Sequence, residues 1–499
     1  MDIRVDWRSS LSLVGSILQY LAVPLVAPLL LALYDGTDPL PFVVTIAVTL
    51  TIGSLLRRLS DDRQLYTREA FLMVSVTWGA IAVVGAIPFL LSGGGVLSHP
   101  VNALFESMSG ITTTGATILL DFDAHSRAVL LWRQLLQWLG GLGILILATA
   151  VLSQLSVGGA QLMETESQIQ DVTKLTPQIA ETARLLWSLY VGLTAVAAVT
   201  FYGLHLGGLA PNMTLFDAVS HALTSVATAG FSPQPESVGA FSPAIQWAVI
   251  PFMILGATSF VLIYAALNGN FGRFRRSEEF RFYMLVLVGL SAVMSALIVA
   301  DAETVYGTEE TLRHAMFQIV SIVTTTGYAT VDFNFWSSSA KQILLVCMFI
   351  GGMAGSTTCS IKTVRWLVIG KAFNRDLSVA AKPDSVQAVR LGGNVVDEST
   401  VRDIYAYTLI SLIFFIAGSV LIVINSAVVG HSVTELEALS ASASTFFNIG
   451  PAFGQAGPYG SYESFPTVTK AAMTIMMWVG RIEIIPVLVM LRLSFWTRP

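Results

Sequence analysis

Apolar residues along this chain gather into ten long stretches, at roughly 11–34, 40–57, 70–92, 128–152, 184–208, 242–268, 281–300, 340–370, 403–426 and 468–493. Each approaches or exceeds the ~20 residues that a helix needs to cross the hydrocarbon of a bilayer, so each predicts a spanning helix. Between the third and fourth lies a shorter, half-polar stretch, "HPVNALFESMSGITTTG". It is too short to cross and reads as a re-entrant helix followed by an extended loop, buried within protein. The same arrangement returns three times, in "NMTLFDAVSHALTSVATAGFSP", "TEETLRHAMFQIVSIVTTTGYA" and "VTELEALSASASTFFNIGPAFG". Each short stretch opens on polar or acidic residues, as the first turn of a helix prefers. Each ends at a glycine: Gly115, Gly230, Gly327 and Gly450, spaced 115, 97 and 123 residues apart.

Four units of one plan are a repeat architecture. The pattern predicts an all-α polytopic membrane protein: four helix–pore helix–helix units around one central ion pore, plus two extra N-terminal transmembrane helices. The expected boundaries are 1–65 for those two helices, then 66–155, 156–272, 273–385 and 386–499 for the four units, the third with a broken second helix.

Composition agrees. Of 499 residues 54% are hydrophobic and 12% charged, about half the charge of a soluble domain. The run from Leu11 to Tyr34 is too long for a signal peptide and lacks a small-residue cleavage site, so it is expected to remain. The two cysteines, Cys347 and Cys359, share one apolar stretch and make neither a disulfide framework nor a metal site. Twenty of the 27 Lys and Arg fall on one side of the predicted layout. The positive-inside rule then places both termini in the cytoplasm and the four short helices outside, in a multi-pass protein of the cell membrane. Acidic residues such as Asp121, Asp123 and Asp332 would enrich cations at the outer entrance.

The short helices carry the candidate chemistry. A helix that dips halfway into a membrane aims its partly negative C-terminal end at the centre. Four such ends on one axis favour a cation. Beyond each end the backbone must offer its carbonyls to that axis. β-branched Thr favours an extended chain, and glycine permits a positive φ with no side chain in the way. Rings of carbonyls are how potassium filters replace hydration water. Four K⁺ filter strands are therefore expected at Thr112, Thr113, Thr114 and Gly115; at Ala227, Thr228, Ala229 and Gly230; at Thr324, Thr325, Thr326 and Gly327; and at Asn448, Ile449 and Gly450. A monovalent cation is the only metal expected.

Two features suggest a gate. Gly351, Gly352, Gly355, Ser356, Thr357 and Thr358 interrupt the eighth stretch at mid-membrane depth. Irregular backbone is tolerated there only inside protein or along a water-filled cavity, so 351–361 is expected to form a loop that narrows the pore. Arg481 lies well into the last stretch, and a midplane charge marks function. At about 5 Å from a passing ion it would add ~3 kcal/mol of repulsion at an effective dielectric of ~20.

The order and placement of seven motifs, "FESMSGITTTGAT", "QWLGGLGILIL", "LFDAVSHALTSVATAGFSP", "FQIVSIVTTTGYAT", "GGMAGSTTCSIKT", "FNIGPAFG" and "VGRIEIIPVL", resemble the membrane subunit of Trk-type potassium uptake systems, within the Trk/Ktr/HKT superfamily. The resemblance spans nearly the whole chain. It implies a fourfold pseudosymmetric pore, a homodimer, and a separate cytoplasmic nucleotide-binding ring of the TrkA type that gates it. It also supports the gating roles of the 351–361 loop and Arg481. Glycine at the Gly115 position accompanies K⁺ preference in that superfamily, and serine there Na⁺ preference. The fourth unit departs from the usual Asn-Val-Gly-Pro-Gly, reading Asn448-Ile449-Gly450-Pro451-Ala452, but keeps the glycine. Thr357-Thr358-Cys359-Ser360 replaces a more usual glycine-bearing run.

No inner segment is long enough for a nucleotide-binding domain, and the glycines of "QWLGGLG" lie within an apolar stretch rather than after a strand. ATP, ADP or NAD would therefore act only through the partner subunit, docking near 153–183 or 371–402. A membrane enzyme would need facing acid, base or nucleophile pairs within the spans, and a voltage sensor would need arginines at every third position. Neither pattern is present. The reading left as an alternative is a Na⁺/K⁺ carrier coupled to H⁺ or Na⁺ by alternating access.

Overall fold

The computed structural model describes residues 5–60, 67–147, 179–301, 306–385 and 387–496. Residues 153–178 of the expected inner docking stretch lie outside these ranges.

Two long helices open the chain, α1 (Trp7–Asp35) and α2 (Leu40–Arg57). They form a tight antiparallel hairpin. A Cβ added at Gly15 would stand 2.7 Å from the Gly53 carbonyl oxygen, and one at Gly53 equally close to that of Gly15. Small residues at such a crossing let two backbones approach in a membrane. Ser12 Oγ adds a 3.1 Å bond to the Arg57 carbonyl.

Four units follow. Each has a first helix: α3 (Thr67–Gly85, continued by Ile87–Leu91), α6 (Ile179–Leu206), α10 (Glu278–Ala300) and α14 (Glu398–Val429). Each then has a short helix: α4 (Pro100–Ile111), α7 (Leu215–Val226), α11 (Thr308–Val323) and α15 (Glu435–Phe446). Three of these have 12 residues, about 18 Å or a little over half the hydrocarbon thickness. Their starts explain why they form at all. Thr214 Oγ1 accepts from the Asp217 amide at 3.1 Å while Asp217 accepts from the Thr214 amide at 3.3 Å, a capping box. Thr434 and Glu437 repeat it in the fourth unit, Glu310 takes the Gly307 amide at 3.4 Å in the third, and Pro100 supplies a preset first turn in the first.

The second helices differ. In the first unit α5 (Arg127–Leu147) is unbroken as far as the described residues run. In the second, α8 (Pro243–Gly256) and α9 (Phe260–Leu267) meet at a 103° bend. In the third, α12 (Ser338–Cys347) and α13 (Thr363–Ala381) are separated by irregular chain. In the fourth, α16 (Thr467–Arg481) stops at Ile482, and α17 (Ile485–Met490) begins after Glu483 and Ile484 take positive φ of 63° and 52°. The expected continuous spans at 242–268 and 468–493 are thus both broken. Only the break in the third unit was expected. Six helices of the described residues are each long and apolar enough to cross a membrane, or seven with the bent pair.

One core joins the second, third and fourth units through residues such as Tyr190, Phe252, Tyr328 and Phe446. Another joins the N-terminal hairpin to the first and fourth units through Leu18, Trp78, Trp132 and Met477. Among the described residues the only strands, Arg390–Leu391 and Asn394–Val395, form a small hairpin whose Leu391 packs with Val368 and Ile404.

Candidate functional site

Three of the four short helices end in the same pair of backbone bonds, and the fourth keeps one of the pair, from the Ile449 amide to the Ser444 carbonyl at 2.9 Å. In the first, the Thr113 amide bonds the Gly110 carbonyl and the Thr114 amide bonds that of Ser109, both at 2.9 Å. This 5→2 and 6→1 pair is a Schellman turn, and it recurs at Thr228 and Ala229 and at Thr325 and Thr326. The turn requires a left-handed residue, and the chain supplies Thr113 (φ 55°), Thr228 (50°), Thr325 (52°) and Asn448 (56°). Two residues later each segment turns left-handed again, at Gly115 (80°), Gly230 (80°), Gly327 (81°) and Gly450 (110°). The expectation of extended threonines is therefore corrected. Ending the helix by a Schellman turn overrides the β preference of Thr, although a left-handed L-residue costs roughly 1–2 kcal/mol.

The segments close on one another in a ring. A Cβ added at Gly115 would come 2.4 Å from the Ala229 oxygen, at Gly230 1.9 Å from that of Thr326, at Gly327 2.0 Å from that of Ile449, and at Gly450 2.8 Å from that of Thr114. Each glycine accommodates the carbonyl just before the next segment's glycine, and the fourth returns to the first. One cavity of about 70 Å³ is lined by all four glycines, together with Tyr459 and Tyr462. Thr113, Thr228, Thr325 and Asn448 are all buried. Among the described residues, no protein donor meets the main-chain oxygens of these four, nor those of Thr114, Thr326 and Ile449. Buried carbonyls are nearly always claimed by a donor or a ligand, so a circle of unclaimed ones is a candidate cation site. The Ala229 and Gly450 oxygens differ: Gln137 Nε2 donates to the first at 2.5 Å, and Ser444 Oγ and the Tyr462 hydroxyl donate to the second at 2.6 and 2.8 Å.

Beneath the ring runs the loop of the third unit, tied to two of the left-handed threonines. Thr357 Oγ1 lies 2.9 Å from Thr228 Oγ1, and the Cys359 amide donates to Thr325 Oγ1 at 3.1 Å. The Met353 and Thr357 amides bond the Ala257 and Gly256 carbonyls, at the 103° bend. Of the predicted gate residues, Gly352 packs on Ala257, Gly351 on Cys359, Gly355 accepts from the Phe260 amide, and Ser356 and Thr358 bond each other at 2.7 Å. Arg481, 1% exposed, reaches this loop from the end of α16. It donates to the Thr357 carbonyl at 3.2 Å and the Gly140 carbonyl of α5 at 2.8 Å, and lies 2.7 Å from Cys359 Sγ. Its guanidinium stands over Trp78 at 5.4 Å. Glu483 pairs elsewhere, with Arg365 at 2.7 Å.

With this geometry in place, kinship can be weighed. Residues 41–495 match the TrkH family, described as cation transport proteins. The chain belongs to this family. It is 35% identical to the Trk system potassium uptake protein TrkH of Halomonas elongata, over 98% of this chain and 99% of that one. It is 33% identical to the protein of the same name in Escherichia coli, over 96% of this chain and all of the other. The crystal structure of the potassium transporter TrkH from Vibrio parahaemolyticus superposes with a TM-score of 0.88 at 32% identity, covering 99% of this chain and 100% of that one. This member of the TrkH family is thus a multi-pass membrane transporter and not an enzyme.

Sequence reasoning missed several residues of the site. Phe447 is the fourth counterpart of Thr112, both closing a short helix. Gln137 holds the second segment from both sides, donating to Ala229 and accepting from the Phe231 amide at 2.9 Å. Arg133 and Glu106, both buried, form a 2.7 Å ion pair. Glu106 also takes the Thr117 hydroxyl and the Ile118 amide, and Arg133 donates to the Ser232 carbonyl. The pair thus fastens the strands that leave the first and second glycines. A lone Arg within "LLWRQLLQW" was the available signal, since an intramembrane charge needs a partner.

Proposed function

We propose that this chain takes up potassium ions through the ring, the ion shedding water for main-chain oxygens of the four glycine-ended segments. The observation that carries the reading is the closed circle of four left-handed turns in which, among the described residues, the buried main-chain oxygens of Thr113, Thr228, Thr325 and Asn448 meet no protein donor. Rings of such oxygens suit a dehydrated monovalent cation, and the C-terminal ends of four short helices add partial negative charge. The potassium-uptake names of the relatives support the choice of ion.

In this proposal the loop beneath the ring and Arg481 form the gate. The loop hangs from Thr228 and Thr325, and Arg481 holds it against α5. A cytoplasmic nucleotide-binding partner would act by moving α13 or the small strand hairpin, which lie beyond that loop in the chain. We place the ring on the outer side and the termini in the cytoplasm, and the working unit as a homodimer.

Rubidium-86 uptake into proteoliposomes, with competing K⁺ or Na⁺, tests the reading. Strong competition by K⁺ and weak competition by Na⁺ is the expected result. Equal competition by both ions would refute potassium preference.

A further inference from the structure

On the flank of the first unit, α1, α3 and α5 enclose a cavity of about 410 Å³ that the ion pathway does not use. Its floor is Trp78, 6% exposed, and Ile111, 2% exposed, the last residue of the first short helix. At its rim Tyr20 is 76% exposed on α1, on a helix whose Val23 is 69% exposed. The cavity thus opens onto the same apolar surface that the spanning helices present to hydrocarbon. Among the described residues no charged side chain lines it, and the Thr77 hydroxyl is already bonded to the Met73 carbonyl at 2.7 Å. Water would find few partners there. Gly143 keeps the space open. A Cβ at that position would touch the Trp78 ring at 3.5 Å, so anything larger would project into the cavity.

We propose that this cavity is a lipid site, occupied by one acyl chain of a bilayer phospholipid. The volume falls within the range of small-ligand sites, and a chain entering from the bilayer leaves no polar group unpaired. Its position gives it a consequence. The chain packs against Trp78, whose ring also carries the Arg481 guanidinium at 5.4 Å, and beside the helix end that begins the first ring segment. Bilayer composition thereby touches the gate without touching the pore.

Photo-crosslinking tests this whichever ion is carried. The full chain is reconstituted in vesicles of phosphatidylethanolamine and phosphatidylglycerol, with a phosphatidylglycerol bearing a diazirine near the end of one acyl chain as probe. Adducts are mapped by peptide mass spectrometry and normalised to those on Val199, 73% exposed on α6. Adducts on Trp78 and Ile111 are expected. They should fall roughly tenfold in Gly143→Leu, the loss expected when about two methylenes have no place to sit. Should that variant not fold, Met73→Trp fills the cavity from another wall and carries the same expectation. Labelling confined to exposed positions such as Tyr20, the result of a cavity closed by polypeptide, would overturn the proposal. So would unchanged Trp78 labelling in a folded filled variant.

Discussion

The ring and the layer beneath it are built on opposite plans. Above, four segments repeat one left-handed turn, with residues between 50° and 56° followed by glycines at 80–81° in three units and 110° in the fourth. Below, the four second helices share nothing comparable: α5 is unbroken through its described residues, α8 turns by 103°, the third unit inserts a loop, and α16 is followed by two left-handed residues. A site that must surround an ion evenly demands equivalence of all four units. A device that blocks a path demands only that something stand in the way, and one unit suffices. The two layers meet at Thr228 and Thr325, whose hydroxyls bind the loop while their backbones belong to the ring.

Substitutions can break this contrast. The largest effect is expected from Gly230→Ala, whose new Cβ meets the Thr326 oxygen at 1.9 Å on a left-handed backbone. Strain of order 1–3 kcal/mol at a strained turn, added to a main-chain clash, should cut rubidium uptake by roughly a hundredfold. The same change should rank in severity as the clashes do: Gly230, Gly327, Gly115, then Gly450. A tolerated Gly230→Ala beside an inactive Gly450→Ala would show that the ring is not the equivalent set described. Gly115→Ser should next lower the preference for K⁺ over Na⁺ by roughly tenfold, about 1.4 kcal/mol of discrimination. Competition assays read that directly.

In the lower layer the sign reverses. Arg481→Ala removes donors to the Thr357 and Gly140 carbonyls, and each charge-assisted bond is worth roughly 1.5–3 kcal/mol. Losing the equivalent of one such bond from the closed arrangement should raise uptake about tenfold. Unchanged uptake by a folded variant would remove Arg481 from the proposed gate. Thr357→Val removes a hydroxyl shared among Thr228 Oγ1 and the Gly256 and Val226 carbonyls; with neutral bonds worth about 0.5–1.5 kcal/mol each, it should raise uptake only two- to threefold or so. A fall in uptake there would mean that the loop supports the ring rather than obstructing it.

The upper layer was far more legible in the sequence than the lower. Gly115, Gly230, Gly327 and Gly450 each follow a short polar-started stretch, and repetition makes weak local signals add. The left-handed threonines were not legible, because β-branched residues locally favour the opposite backbone and only the closed ring holds them. Nor was the break after Arg481. "RIEII" contains no Gly or Pro, and its irregular backbone is held from outside by the Glu483–Arg365 pair. The loop of the third unit was visible because Gly351, Gly352 and Gly355 announce it. Glu106 and Arg133, 27 positions apart, share a contact that neither helical pattern encodes.

The return contact from Gly450 to Thr114 joins the two ends of a single polypeptide into the circle. A pore assembled from four identical subunits alters four lining positions with every codon change. In the proposed filter one codon alters a quarter of the lining, so intermediate ion preferences can arise by small steps, and Asn448 can stand in one quadrant while threonine stands in the other three.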